Sequence, residues 1–147
     1  MLHAHVEAAP SVTEWFDIDQ RAVDVFAGVT ADFDEKHNDP TWATSGPWGS
    51  TILHGMFGLS LVLDCWKRCG LPLATTATST PVNYGFDRVR FTAPIKVDQR
   101  IRGSFDITDV SERTKDSYLV RSVFKIEAEH VDKPCLVADW MLLFVPV

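Results

Sequence analysis

Ile52-Leu53-His54-Gly55-Met56-Phe57-Gly58-Leu59-Ser60-Leu61-Val62-Leu63-Asp64-Cys65-Trp66-Lys67-Arg68-Cys69 is the stretch around which the rest of the chain must be arranged. Its charged residues, Asp64, Lys67 and Arg68, gather at the C-terminal end, and Gly70 with Pro72 just beyond supplies a stop signal. Met56, Phe57, Leu59, Leu61, Val62, Leu63 and Trp66 cover most faces of a helix, and a helix that is apolar nearly all round is a buried one. The pattern predicts a central helix over about 52–69 that other elements must wrap.

Downstream, four segments read as strands: Asn83 to Phe91, Gln99 to Val110, Ser117 to Glu129 and Cys135 to Val145. They are rich in Val, Ile, Phe and Tyr, alternate as in Arg88-Val89-Arg90-Phe91, and are separated by Pro94 with Asp98, by Ser111 to Asp116 and by Asp132-Lys133-Pro134. No helix-length pattern interrupts them, so they are expected to pair antiparallel as a meander. An antiparallel sheet needs one face covered and the apolar helix needs a cover, so the expected fold is α+β. A curved antiparallel sheet wrapped around one central helix is the hot-dog architecture.

Upstream, Asp17-Ile18-Asp19 precedes a short amphipathic helix expected over Gln20 to Val29. From Thr30 to Thr51 the chain is rich in Asp, Pro, Gly, Thr and Ser, with turn signals at Asp39-Pro40 and Gly46-Pro47. A structured loop of that length in a compact domain usually carries function.

With 147 residues, the whole chain is expected to form a single domain spanning 1–147. A net charge of −6 opposes nucleic acid and anionic membranes as partners, and no apolar run approaches the length needed to span a bilayer. The N-terminus shows no basic segment leading into an apolar run, so a cytoplasmic location is expected. Cys65, Cys69 and Cys135 lack Cys-x-x-Cys spacing and read as reduced thiols, not as a disulfide framework or a metal site. Trp15, Trp42, Trp48, Trp66 and Trp140 are read as packing residues, and Asp64 as structural or interfacial.

Asp32 and His37 stand five apart in the long loop, and Ile52-Leu53-His54-Gly55-Met56 follows at the helix entrance. These blocks resemble the Asp-x-Asn-Pro-x-His and Ala-His-Gly-Met signature of the MaoC-like, R-specific enoyl-CoA hydratases. Asn83-Tyr84-Gly85-Phe86-Asp87-Arg88-Val89-Arg90-Phe91-Thr92-Ala93-Pro94 and Lys133-Pro134-Cys135-Leu136-Val137-Ala138-Asp139-Trp140 further resemble the NodN-like branch of that family. The resemblance implies reversible hydration of a trans-2-enoyl thioester to the (R)-3-hydroxyacyl thioester, with acyl-CoA as substrate, no metal or redox cofactor, and a homodimer or higher homo-oligomer as the working assembly.

The residues themselves suit that chemistry. Hydration needs a group to take a proton from water, a group to deliver one to the α-carbon, and donors for the charge that develops on the thioester oxygen. Asp32 and His37 supply the first two, since an imidazole changes charge near neutrality. Backbone N–H groups at the start of the central helix supply the third, and Gly55, lacking a Cβ, lets a carbonyl approach closely. His54 is read as contacting the substrate or as orienting the loop from the helix entrance. Asn83 and Tyr84 are candidates for the acyl pocket. Arg88 and Arg90, on one strand face, fit either a solvated surface or the phosphates of CoA.

The loop departs from that signature, and an Asn-Asp-Pro stands instead at Asn38 to Pro40. Asp34-Glu35 stands where Asn-Pro is usual, and two carboxylates facing His37 would raise its pKa. Two other readings stay open: an acyl-CoA thioesterase, whose carboxylate would sit near the start of the central helix, and a non-catalytic acyl-thioester-binding subunit.

Overall fold

In the computed structural model, which describes residues 2–6, 8–73 and 79–146, a 3₁₀ turn at Leu2–His5 leads into β1 (Ser11–Val12). Three helices follow: α1 (Gln20–Thr30), α2 (Glu35–Asn38) and α3 (Pro40–Thr44). The central apolar stretch forms α4 (Gly55–Ser60) and α5 (Val62–Arg68). Four long strands complete the chain: β2 (Ser79–Phe91), β3 (Ile101–Thr114), β4 (Ser117–Ala128) and β5 (Leu136–Pro146). They form one sheet in the order β1-β3-β4-β5-β2, with every pairing antiparallel.

The strand alternation is realised as burial. Ile101, Gly103, Phe105 and Ile107 of β3, Phe124, Ile126 and Ala128 of β4, and Leu136, Ala138, Trp140, Leu142 and Phe144 of β5 all turn inward. Trp66 meets this face edge-on, with ring centroids 5.2 Å from Phe105 and 5.4 Å from Trp140, while Phe105 stacks on Phe124 at 5.0 Å. Each such fully buried side chain stabilises the fold by about 1.5–3 kcal/mol. At the tightest crossing Gly103 faces Cys65, where a Cβ would lie 2.6 Å from the thiol sulfur.

Three expectations need correction. The central helix begins at Gly55, not Ile52, because Leu53 N–H donates to Ile95 O at 2.8 Å and Ile52 pairs with Lys96. It is also broken at Leu61, whose N–H turns back to Gly58 O. The helix is not enclosed on every side: Met56 is 61% exposed and Leu63 38%. Gly70, at φ 67°, does end α5 in the left-handed conformation expected of a helix stop.

The meander is also only partial. β3, β4 and β5 follow one another, but β2 lies against β5, with Asn83 opposite Leu142 and Phe91 opposite Leu136. The connection from β2 to β3 does not turn tightly. Ile95 and Lys96 pair with Leu53 and Ile52 on the way, and this carries the chain to the far side of the sheet. β1, unforeseen because it is two residues long, lies on the outer edge of β3, helped by a bridge between Phe16 and Ile101. Among the described residues no helix is long and apolar enough to cross a membrane.

Candidate active site

Helix α1 starts at Asp19, whose carboxylate accepts Ala22 N–H at 2.8 Å, and ends at Ala31, whose φ of 59° turns the chain sharply into Asp32. Two short helices then give the expected structured loop its shape. Asp34 caps α2 by accepting Lys36 N–H at 3.1 Å and pairs with Lys36 Nζ at 2.6 Å. Asp39 caps α3 through Trp42 N–H at 2.9 Å, with Pro40 in the first turn. Asp34-Glu35 is therefore a helix start. The acid at the cap and the acid in the first turn both suit the positive end of a helix.

This local folding delivers His37 into a buried position, 6% exposed. Its Nδ1 lies 2.7 Å from Ile52 O. A carbonyl only accepts, so Nδ1 carries the proton and Nε2 of the neutral ring carries the lone pair. His37 Nε2 is not among the sealed, partnerless side-chain atoms, so it stays open to solvent. Burial chiefly pushes the His37 pKa below the ordinary histidine value, opposed by the bond to Ile52, while the neighbouring positive charges of His54 and Lys36 add to the fall and Asp32 works against it. The expected rise does not occur, because burial outweighs the one carboxylate that raises the value, Asp32.

Gln20 holds the same loop from below. Its amide donates to His37 O at 2.7 Å and to Asp24 at 2.9 Å, and it accepts the hydroxyl of Thr51 at 2.5 Å. Lys36 O accepts Ile52 N–H at 3.0 Å. The histidine is thus fastened to α1 and to the entrance of α4. Gln20 carries no motif signal in the sequence, because its partner is a backbone carbonyl seventeen residues away.

His54 stands at that entrance, 2% exposed. Its ring stacks on His37 with centroids 3.9 Å apart and packs against Phe26 at 5.1 Å. Nε2–H donates to the backbone carbonyl of Asp32 at 2.9 Å, and Nδ1 is buried with no partner. One ligand-type atom from each of Asp32, His37 and His54 lies within 4.8 Å of the others, so one water can bridge the exposed Asp32 carboxylate and an imidazole. The two rings lie 26° apart in plane, and Nδ1 of His37 is already engaged by Ile52 O and Nε2 of His54 by Asp32 O. That geometry suits proton traffic better than chelation.

Beside His54, Gly55 opens α4 with its backbone exposed, and a Cβ there would meet the Phe91 ring at 3.1 Å. Together with Gly58, Phe91, Cys135 and Leu136, His54 and Gly55 line a cavity of about 240 Å³. His54 therefore belongs both to the cavity wall and to the His37 stack.

The remaining sequence candidates are dispersed. Tyr84 is 54% exposed. Arg88 and Arg90 both lie exposed on β2, but Arg88 binds Asp139 at 2.6 Å, whereas Arg90 contacts only the Val89 carbonyl among the described residues. Asn83 accepts the indole N–H of Trp140 at 2.8 Å. Asp64 pairs with Arg68 on the outer face of α5. Of the five tryptophans, Trp66 and Trp140 are core residues, Trp15 stacks under Arg102, Trp48 is half-buried, and Trp42 is 44% exposed. All three cysteines are free, with burial raising the thiol pKa of Cys65 to about 12.

The family model for the MaoC like domain matches residues 3–128. The chain belongs to the MaoC-like family. Nodulation protein N of Rhizobium leguminosarum bv. viciae is 35% identical over 132 residues, covering 89% of this chain and 81% of that protein. 3-hydroxyacyl-thioester dehydratase Z of Mycobacterium tuberculosis is 31% identical over 133 residues, covering 90% and 86%. Among solved structures, an (R)-hydratase from A. caviae involved in PHA biosynthesis superposes with a TM-score of 0.73 at 16% identity, covering 91% of this chain and 92% of that one. This MaoC-like chain thus shares the hot-dog fold with that hydratase.

Proposed function

We propose that this MaoC-like protein hydrates a trans-2-enoyl thioester reversibly to the (R)-3-hydroxyacyl thioester, without metal or redox cofactor. The observation that carries the reading is the tautomer of His37: a buried, neutral imidazole with Nε2 free, beside the Asp32 carboxylate and next to the start of α4. In this mechanism a water held between Asp32 and His37 attacks the β-carbon while His37 Nε2 takes its proton. Asp32 stabilises the resulting imidazolium, which returns the proton to the α-carbon. The hydroxyl and the proton added to the double bond together account for one water. The Gly55 N–H, with no partner inside the first turn of α4, receives the charge on the thioester oxygen. Arg90, the cation of its pair without a carboxylate partner among the described residues, is the better candidate for a CoA phosphate.

The thioesterase reading loses ground because the first turn of α4 contains no acidic residue. Incubating the purified protein with crotonyl-CoA tests the choice. Loss of the enoyl absorbance without release of free thiol is expected, and thiol release in step with it would reverse the assignment. Asp32→Ala and His37→Ala should each slow hydration by at least about a hundredfold, with unchanged circular dichroism. Near-normal turnover in either would remove that residue from the mechanism.

A further inference from the structure

Helices α4 and α5 do not fill the concave side of the sheet. Between them and β2 and β5 lies a second cavity of about 380 Å³, whose walls include Met56, Leu59, Leu63, Phe86 and Leu142. Two uncharged polar side chains enter this apolar lining, Ser60 and Asn83. Ser60 has its hydroxyl proton engaged, donating to Phe57 O at 2.7 Å.

Asn83 is different. An indole N–H only donates, so the 2.8 Å contact with Trp140 identifies the Asn83 atom as Oδ1 and fixes which way the amide faces. Its Nδ2 then has no protein partner among the described residues. Trp140 is 1% exposed, so the amide is anchored on a rigid core residue. The two cavities are both lined by residues of α4, β2 and β5. Along β2 the lining runs from Phe91 to Phe86 and Asn83, and along β5 from Leu136 to Trp140 and Leu142. Phe91 pairs with Leu136 and Asn83 with Leu142, six residues further on, a separation of about 20 Å at 3.3 Å per residue.

We infer that the second cavity receives the distal part of a long acyl group, and that Asn83 selects chains carrying a hydrogen-bond acceptor, such as a keto or ether oxygen, remote from the thioester. The inference rests on the hydratase reading for where the thioester sits. A plain methylene chain seated against the Nδ2 donor takes away its water and returns nothing, whereas an acceptor restores the bond, so the penalty falls on the unoxygenated chain.

The test compares hexadecanoyl-CoA, long enough to extend from the first cavity to Asn83, with its (ω−1)-keto analogue by calorimetric titration of the wild type, Asn83→Asp and Asn83→Leu. Asn83→Asp keeps the shape and the acceptor for Trp140 but exchanges the donor for a charged carboxylate oxygen, so Asn83→Leu, which removes the donor without adding charge, is read beside it. The wild type should bind the keto analogue about five- to tenfold more tightly, and both variants should abolish that preference. Equal affinities in the wild type, a preference that survives Asn83→Asp, or variants that alter only the oligomeric mass would overturn the inference. The last outcome would mean that a second copy of the chain, not an acyl group, occupies the cavity. Hydration of trans-2-dodecenoyl-CoA is followed in parallel. Its absence sinks the hydratase reading, while the binding comparison still decides the role of Asn83.

Discussion

His54 is a positioning residue of the candidate site. Its Nε2–H fixes the Asp32 carbonyl, its ring supports His37, and it precedes Gly55, so one side chain relates the acid, the base and the helix start. His54→Leu should lower kcat at least about tenfold and cost about 1–3 kcal/mol of stability, because a buried bond is lost. His54→Gln, which retains a donor at similar reach, should recover most of the rate. A Gln variant as slow as Leu would mean that the ring itself reacts. The buried His37 sets the pH profile. Since its folded pKa is depressed, kcat/KM should fall on the acid side with an apparent pKa below about 6.5 and be flat at neutrality. By the same linkage its contribution to stability is present above about 6.5 and is lost as pH drops from there through the folded pKa. Urea titrations across that range should show the slope, and His37→Gln should reduce it. Asp32, His37 and Gly55 can be nominated from the sequence because the proposed chemistry calls for particular residue types at particular spacings, and the structure brings Asp32 and His37 together. Gln20 and the orientation of Asp34 cannot be nominated, since both are decided by where backbone N–H and C=O groups end up after folding.

The elements show the same division between what periodicity reveals and what packing decides. Burial alternation in β3, β4 and β5 follows the apolar pattern closely, which is why those strands are readable to within a few residues. Placement of β2 is not readable, because its composition suits any neighbour and only the pairing of Ile95 and Lys96 with Leu53 and Ile52 sends the following chain across the sheet. The early helix start misleads for a related reason: Ile52 and Leu53 are as apolar as the turns after them, yet their backbone groups are already engaged by Lys36, Lys96 and Ile95. Where α5 crosses β3 the packing leaves no slack. Gly103→Ala would place a methyl 2.6 Å from Cys65 Sγ and 2.7 Å from its Cβ, so the helix must retreat from the sheet. A loss of about 1–3 kcal/mol in chemical denaturation is expected, with the midpoint shifted and the slope unchanged. Stability equal to the wild type would show that α5 is free to slide.

At the scale of the whole molecule the two sheet edges are unequal. β1 and the bridge from Phe16 to Ile101 partly cover β3, whereas β2 is a thirteen-residue edge strand that pairs on one side only, with β5. Val82, Tyr84 and Phe91 are exposed along it, and Met56 and Leu63 on the central helices add further apolar surface. A long open edge beside exposed apolar side chains is an invitation to pair, and closed two-fold pairing satisfies it without leading to fibres. We therefore expect two copies to join β2 to β2, extending the sheet across the axis. A net charge of −6 on each 16.5 kDa chain opposes this association, so the contact has to rest on the backbone ladder and apolar burial. Raising the salt concentration should accordingly strengthen the dimer, by screening the repulsion. Light scattering should give twice the chain mass, and the double variant Val82→Lys with Tyr84→Lys should give the monomer, because a charged edge disfavours strand addition. Because Asp32, His37 and Gly55 all come from one chain, that monomer should retain measurable crotonyl-CoA hydration. A wild-type protein that is monomeric at micromolar concentration, or a dimer indifferent to both lysines, would place the interface elsewhere.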